Sequence, residues 1–143
     1  MLNSTESSID LEVTPKLAWK MLGQFEAAKL IDVRTEPEWA YVGVPSIGEL
    51  GKSLIKISWH VFPDMTVNPQ FAQELRSVAE ADDILLFICR SGGRSLAAAN
   101  AAIGLGFGGS HSVLGGFEGG LDLHGHRATT AGWKHDGLPW TQA

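Results

Sequence analysis

At 143 residues the chain is long enough for one domain with a real core, and 44% apolar against 19% charged residues is the balance of an ordinary soluble globular protein. Its net charge of −5 argues against nucleic acid as a partner, and no run approaches the roughly 18 apolar residues that cross a membrane. A single cysteine excludes an internal disulfide and a resolving thiol and suits a reducing compartment.

The stretch Met1 to Ser8 lacks the basic start and apolar run of a secretory signal. A disordered tail at 1–8, a domain at 9–143 and a cytoplasmic setting are therefore expected. Ile9 to Val13 alternates apolar and acidic residues, the pattern of a short strand. Thr14-Pro15 then starts a helix, N-cap followed by first helical position, with Leu17, Ala18, Met21, Leu22 and Phe25 on one face. Lys29 to Val33 is too short and too β-branched for a helix and reads as a second strand. Its end carries Asp32 and Arg34, which places both at the carboxyl edge of a parallel sheet, where open α/β folds bind ligands. Glu36 to Tyr41 forms a short helix behind Thr35, 43–51 is loop, and Leu54 to Trp59 is a strand. Trp59, His60, Phe62 and Met65 follow in a loop expected to flank the pocket. For His60 a local structural contact is the simpler role. Asn68-Pro69 opens another helix, whose stripe of Phe71, Leu75 and Val78 belongs to the core.

Ile84 to Ile88, bounded by Asp82-Asp83, reads as a buried strand, and the Ala-rich run after Ser95 as a helix. Between them lies Cys89-Arg90-Ser91-Gly92-Gly93-Arg94-Ser95. The sulfur thus sits where the strand ends and a helix begins. The unsatisfied N–H groups of a helix N-terminus, together with Arg90 and Arg94, favour thiolate over thiol. Gly92 and Gly93 supply the dihedrals, often with positive φ, that let loop amides converge on one atom. Ser95 either caps the helix or turns its hydroxyl into the cradle. The competing reading is an inert buried thiol, which the Arg-x-Gly-Gly-Arg sequence after the cysteine disfavours.

The helix is expected to run to about Leu105 and to end at Gly106. Gly104 to Gly109 superficially suggests a dinucleotide fingerprint, but it follows a helix and precedes a strand, the reverse of the required order. Ser110 to Leu114 is the last sheet strand, and Gly115-Gly116 turns the chain back to the edge that holds Cys89. Further on, Asp122, His124, His126 and His135 lie close together, but without a second cysteine and at no standard zinc spacing, so no metal is expected. Trp133, Leu138 and Trp140 are expected to close over the core as a lid. Strands alternating with helices give an α/β fold, three-layer α/β/α, with a central parallel sheet of about five strands and the site at its carboxyl ends.

Cys-Arg-Ser-Gly-Gly-Arg-Ser after an apolar strand resembles the active loop of single-domain rhodaneses, the sulfurtransferases. Leu30 to Trp39 is similar to the family's Asp-Val-Arg segment followed by an acidic residue and an aromatic. Leu105-Gly106-Phe107, Val113 to Phe117, and Trp133 followed by Gly137-Leu138-Pro139 are similar to its C-terminal signature. The family's Gly-His-Ile-Pro-Gly-Ala appears here as Gly43-Val44-Pro45-Ser46, without the histidine, and 118–132 is an insertion between its Gly-Gly and its Trp. The insertion is expected to form a charged flap over or beside the pocket, with His126-Arg127 as contacts for an anion. The resemblance implies an Asp32–Arg34 pairing that buttresses the loop. It also implies sulfur transfer, in which Cys89 takes sulfur from thiosulfate or a similar small anionic donor, held by Arg90 and Arg94, and a persulfide passes it to cyanide, a thiol or a protein acceptor. No cofactor is implied. Two other readings stand beside this one. A non-catalytic carrier or docking module would keep the loop without turnover. A phosphatase or arsenate reductase would carry five residues between Cys and Arg, where this loop carries four.

Overall fold

The computed structural model describes residues 11–61 and 63–142. Five parallel strands form the sheet in the order β1-β8-β7-β2-β4, made of β1 (Glu12–Val13), β2 (Ala28–Asp32), β4 (Ile55–Lys56), β7 (Ile84–Ile88) and β8 (Ser110–Val113). Helices α1 (Pro15–Gln24), α2 (Glu36–Tyr41), α3 (Phe71–Val78) and α4 (Gly93–Gly104) connect them. Central β7 lies between β2 and β8, in register from Ala28↔Ile84 to Asp32↔Ile88 on one side and Leu85↔Ser110 to Phe87↔Ser112 on the other. The expected three-layer α/β/α arrangement is the one observed.

Strand alternation sorts the core into two layers. Leu85, Phe87 and Cys89 join Ile31, Val33, Phe71, Leu75 and the small face of α4 (Ala98, Ala99, Ala102) on one side. Leu86 and Ile88 join Leu30, Ala18, Leu22, Val113, Phe117 and Trp133 on the other. Alanines on α4 let its backbone come close to β7. The helix that follows Cys89 is thereby held against the strand that precedes it.

Local rules account for the element boundaries. The Thr14 hydroxyl accepts the Leu17 amide at 3.1 Å with Pro15 in the first turn. Thr35 and Glu38 close a capping box at α2. Gly106, at φ +104, ends α4 as expected.

Several expectations need correction. The strand predicted over 9–13 is formed only at Glu12–Val13, with Leu11 helical ahead of it; Ile9 and Asp10, like the tail predicted at 1–8 and Phe62, lie outside the described residues. On α1, Ala18 and Leu22 are buried but Leu17 is exposed, as are Phe25 just after it and Val78 on α3. The stretch 43–51 holds a short strand β3 (Val44–Pro45) and a 3₁₀ turn (Gly48–Leu50). Strand β3 pairs antiparallel with β9 (Trp140–Thr141), a partner about a hundred residues away that local pattern does not reveal. The expected strand 54–59 shortens to β4, and His60 enters a small hairpin of β5 (His60–Val61) and β6 (Thr66–Val67). Trp133 is fully buried and Leu138 partly so, whereas Trp140 stays 42% exposed. Among the described residues no helix is long and apolar enough to cross a membrane.

Candidate functional site

Buried strand β7 delivers Cys89 to the carboxyl edge of the sheet, where its thiol is 1% exposed. The chain then rises through exposed Arg90 and Ser91 and turns at Gly92, whose φ of +121 is open to glycine and costly for any other residue. That turn points the Gly92 amide at the sulfur, N to Sγ 3.1 Å. The thiol donates to the Ser95 hydroxyl at 3.3 Å. Gly92, rather than Ser95, occupies the N-cap position of α4. Ser95 lies inside the first turn with its hydroxyl in the cradle.

The two loop arginines are engaged with carboxylates. Arg94 makes a bidentate pair with Glu38 of α2, at 2.7 and 2.9 Å. Burial pushes the Glu38 carboxyl up, but hydrogen bonds and charge from Arg94, with help from Thr35, outweigh it and hold the group down at about 2. Arg94 is in turn held in its charged form, by Glu38 first and also by the nearby Cys89 and Asp32. Arg90 lies 3.5 Å from Glu118 and its side chain is 47% exposed. Arg94 therefore works as a clasp between α2 and the loop, and Arg90 is the freer of the two cations.

Asp32 and Arg34 meet at the carboxyl end of β2, both fully buried. Arg34 donates to the Asp32 carboxylate through Nε at 2.9 Å and Nη2 at 2.7 Å, and its Nη2 also reaches the Gly43 carbonyl at 2.7 Å. Its guanidinium stacks 4.4 Å above the Phe117 ring. From Phe117 the connection runs to the loop itself. The Phe117 amide donates to the Cys89 carbonyl at 2.7 Å, and the Glu118 amide to the Arg90 carbonyl at 2.9 Å. This approach requires Gly116, at φ +62, because a Cβ there would stand 2.5 Å from the Cys89 carbonyl oxygen.

The insertion leaves and returns at this same clamp, with the Trp133 amide on the Gly116 carbonyl at 2.8 Å. Its tip is organised around Asp122, whose carboxylate accepts the Thr129 hydroxyl and the His124 and His126 amides, contacts that hold it below the usual carboxylate range. Arg127 donates to the Gly119 carbonyl at 2.8 Å, so its head is turned to the insertion's own backbone. The tip is thus self-contained, and it is the base of the insertion, Glu118 and Gly119, with Phe117 just ahead of it, that touches the loop. His135 sits beside Asp136 at 3.1 Å. Burial between the Phe117 and Trp140 rings pushes the Lys134 ammonium down.

Cys89, Gly92, Arg94 and Ser95 lie together as expected, whereas the expected anion contacts His126 and Arg127 are held within the insertion itself. The turn at Gly115-Gly116 returns to the edge of Cys89 as expected, whereas the residues that sequence reasoning missed, Glu38 as a clasp, Glu118 beside Arg90 and Ser112 behind the sulfur, are distant from the loop in the chain. For Glu38 a signal existed in the Thr35-x-x-Glu38 spacing, which places it in the first turn of α2.

The model of the rhodanese-like domain family matches residues 14–122. The crystal structure of Rv0390 from M. tuberculosis is 43% identical and superposes with a TM-score of 0.85 over 92% of this chain and 97% of that one. The polysulfide-sulfur transferase homodimer of Wolinella succinogenes shares the fold at 20% identity, with a TM-score of 0.63 over 97% of this chain and 83% of that one. An uncharacterized protein of Rickettsia rickettsii, the RP600 homolog, is 36% identical over 123 residues, 86% of this chain and 90% of its own length.

Proposed function

The chain belongs to the rhodanese-like domain family, and we propose that it is a sulfurtransferase with Cys89 as nucleophile. The observation that carries this reading is the Gly92 amide aimed at the Cys89 sulfur at 3.1 Å, in a loop that opens a 12-residue helix.

In the proposed reaction the Cys89 thiolate attacks the outer sulfur of thiosulfate or a similar donor. An S–S bond forms to Cys89, the donor's S–S bond breaks, and sulfite leaves with the electron pair. A thiophilic acceptor, cyanide or a thiol, then attacks the outer sulfur of the persulfide and returns the thiolate. No net oxidant is needed. Loop amides offset negative charge on sulfur as an oxyanion hole does on oxygen. Arg90 meets the anionic donor, while Arg94, clasped by Glu38, holds the loop and adds its field. Gly93 and Ser91 complete the turn, and Asp32 with Arg34 supports it. The cellular acceptor is proposed to be a thiol, either small or on a protein, and the working compartment the cytoplasm.

The test is the intact mass of the protein after thiosulfate, before and after cyanide, beside Cys89→Ser. A gain of about one sulfur atom that cyanide removes, absent in the variant, is the expected result. No gain in the wild type would overturn the reading and favour a docking role or oxyanion chemistry, which hydrolysis of p-nitrophenyl phosphate would separate.

A further inference from the structure

Behind Cys89 lies a pair of buried hydroxyls that the sulfur-transfer scheme leaves unused. Ser112, in β8, sits opposite Phe87 of β7, which directs it to the same side of the sheet as Cys89 and α4. Its Oγ is 2.8 Å from Ser95 Oγ, and both serines are fully buried. We infer that Ser112 is a positioning residue for the Cys89 thiolate, acting through the Ser95 hydroxyl; the inference rests on the proposed role of Cys89 as nucleophile.

The argument is a count of protons. A hydroxyl has one proton to donate and two lone pairs to accept with. In the thiol form Cys89 donates to Ser95 Oγ, and Ser95 donates its own proton to the Gly92 carbonyl at 3.1 Å. Ser112 is then the donor across the 2.8 Å contact. When Cys89 ionises, its proton leaves to solvent and the S–H donor is gone. The Ser95 proton turns to the sulfur. The Gly92 carbonyl loses little, because it still accepts the Leu96 amide at 3.1 Å. Ser95 Oγ, now without the thiol proton, is satisfied by Ser112 alone.

Removing the Ser112 hydroxyl is therefore asymmetric. In the thiol form Ser95 Oγ keeps a donor, the S–H; in the thiolate form it has none. A buried acceptor left without a donor is costly, so the loss falls on the ionised form. The charged groups around the loop are Arg94 on α4, Arg90 in the loop, Asp32 at the end of β2 with Arg34 just beyond it, Glu38 on α2, and Glu118 after β8. His111, next to Ser112 in β8, takes the opposite side of the sheet by strand alternation. A Ser112→Ala change leaves all of these in place.

The experiment is a pH titration of the thiolate's ultraviolet absorbance in wild type, Ser112→Ala, Ser95→Ala and the double variant, with Cys89→Ser as the blank. One cysteine in the chain makes the difference signal unambiguous. The expected result for Ser112→Ala is a midpoint raised by about half to one pH unit, which lowers the thiolate fraction at a fixed pH below it by about three- to tenfold. In the Ser95→Ala background the same change should move the midpoint no further, because the route from Ser112 to sulfur is already cut. An unmoved midpoint in Ser112→Ala would overturn the inference, and so would an equal shift with and without Ser95. Ionisation is read without any sulfur donor, so a failure of sulfur uptake would count against the sulfurtransferase reading and leave this comparison standing.

Discussion

The sulfur of Cys89 is served by short-range neutral dipoles, the Gly92 amide and the Ser95 hydroxyl, while the full charges near it are already paired. Glu38 illustrates the consequence. Its carboxyl titrates at about 2 in the folded chain against 4.5 when free. A depressed acid stabilises the fold above its free value and loses that contribution as the pH falls toward its folded value. Glu38→Gln should therefore lower stability by about 1–3 kcal/mol at neutral pH. The gap between wild type and variant in denaturant unfolding should shrink between pH 4.5 and about 2. A gap that persists unchanged at low pH would show that the pair contributes packing rather than charge.

Among the elements, the turn after β8 matters as much as the loop it grips. Gly116 lets the Phe117 and Glu118 amides reach the carbonyls of Cys89 and Arg90. Gly116→Ala forces either the turn or the loop to move, and misplacing the proposed nucleophile by about 1 Å is expensive. Sulfur uptake should fall on the order of tenfold to a hundredfold, followed by the rate of mass gain with thiosulfate. Thr14→Ala is the matched control. It removes a hydroxyl that caps α1 through the Leu17 amide and bonds none of the loop residues, and should cost about 1 kcal/mol of stability with uptake unchanged. At the insertion, Asp122→Ala should loosen the tip, detected as faster amide exchange at His124 and His126, without altering uptake.

For the molecule as a whole, a net charge of −5 and a loop whose arginines face Glu38 and Glu118 offer little long-range attraction to a dianion. Added salt should therefore raise the second-order rate of thiosulfate uptake, by about twofold, as screening weakens the repulsion. A steep fall with salt would instead mean that the field of Arg90 dominates the approach. Core continuity is also a whole-molecule property. Trp133 is fully buried among Leu22, Ile88 and Phe117 and donates to the Pro139 carbonyl at 2.7 Å, which ties the C-terminal segment to the layer beneath the site.

What could be read without coordinates was local. An apolar run ending in Cys89, glycines where the chain must turn, Thr-Pro at a helix start and Asp32 with Arg34 at a strand end all declare themselves within a few residues, because dihedral preference, capping and strand alternation act at that range. They sufficed for the fold class, the sheet and the loop. The rest depended on side chains and strands that meet only after folding: Glu38 with Arg94 across 56 residues, Ser95 with Ser112 across 17, β3 with β9, and the turn at Gly116 on the Cys89 carbonyl. Such pairs leave no periodic trace in a single chain. Tertiary structure alone decided that Arg94 is clasped by Glu38 while Arg90 stays half-exposed, that Ser95 faces the sulfur, and that the insertion approaches the loop at its base and not at its tip.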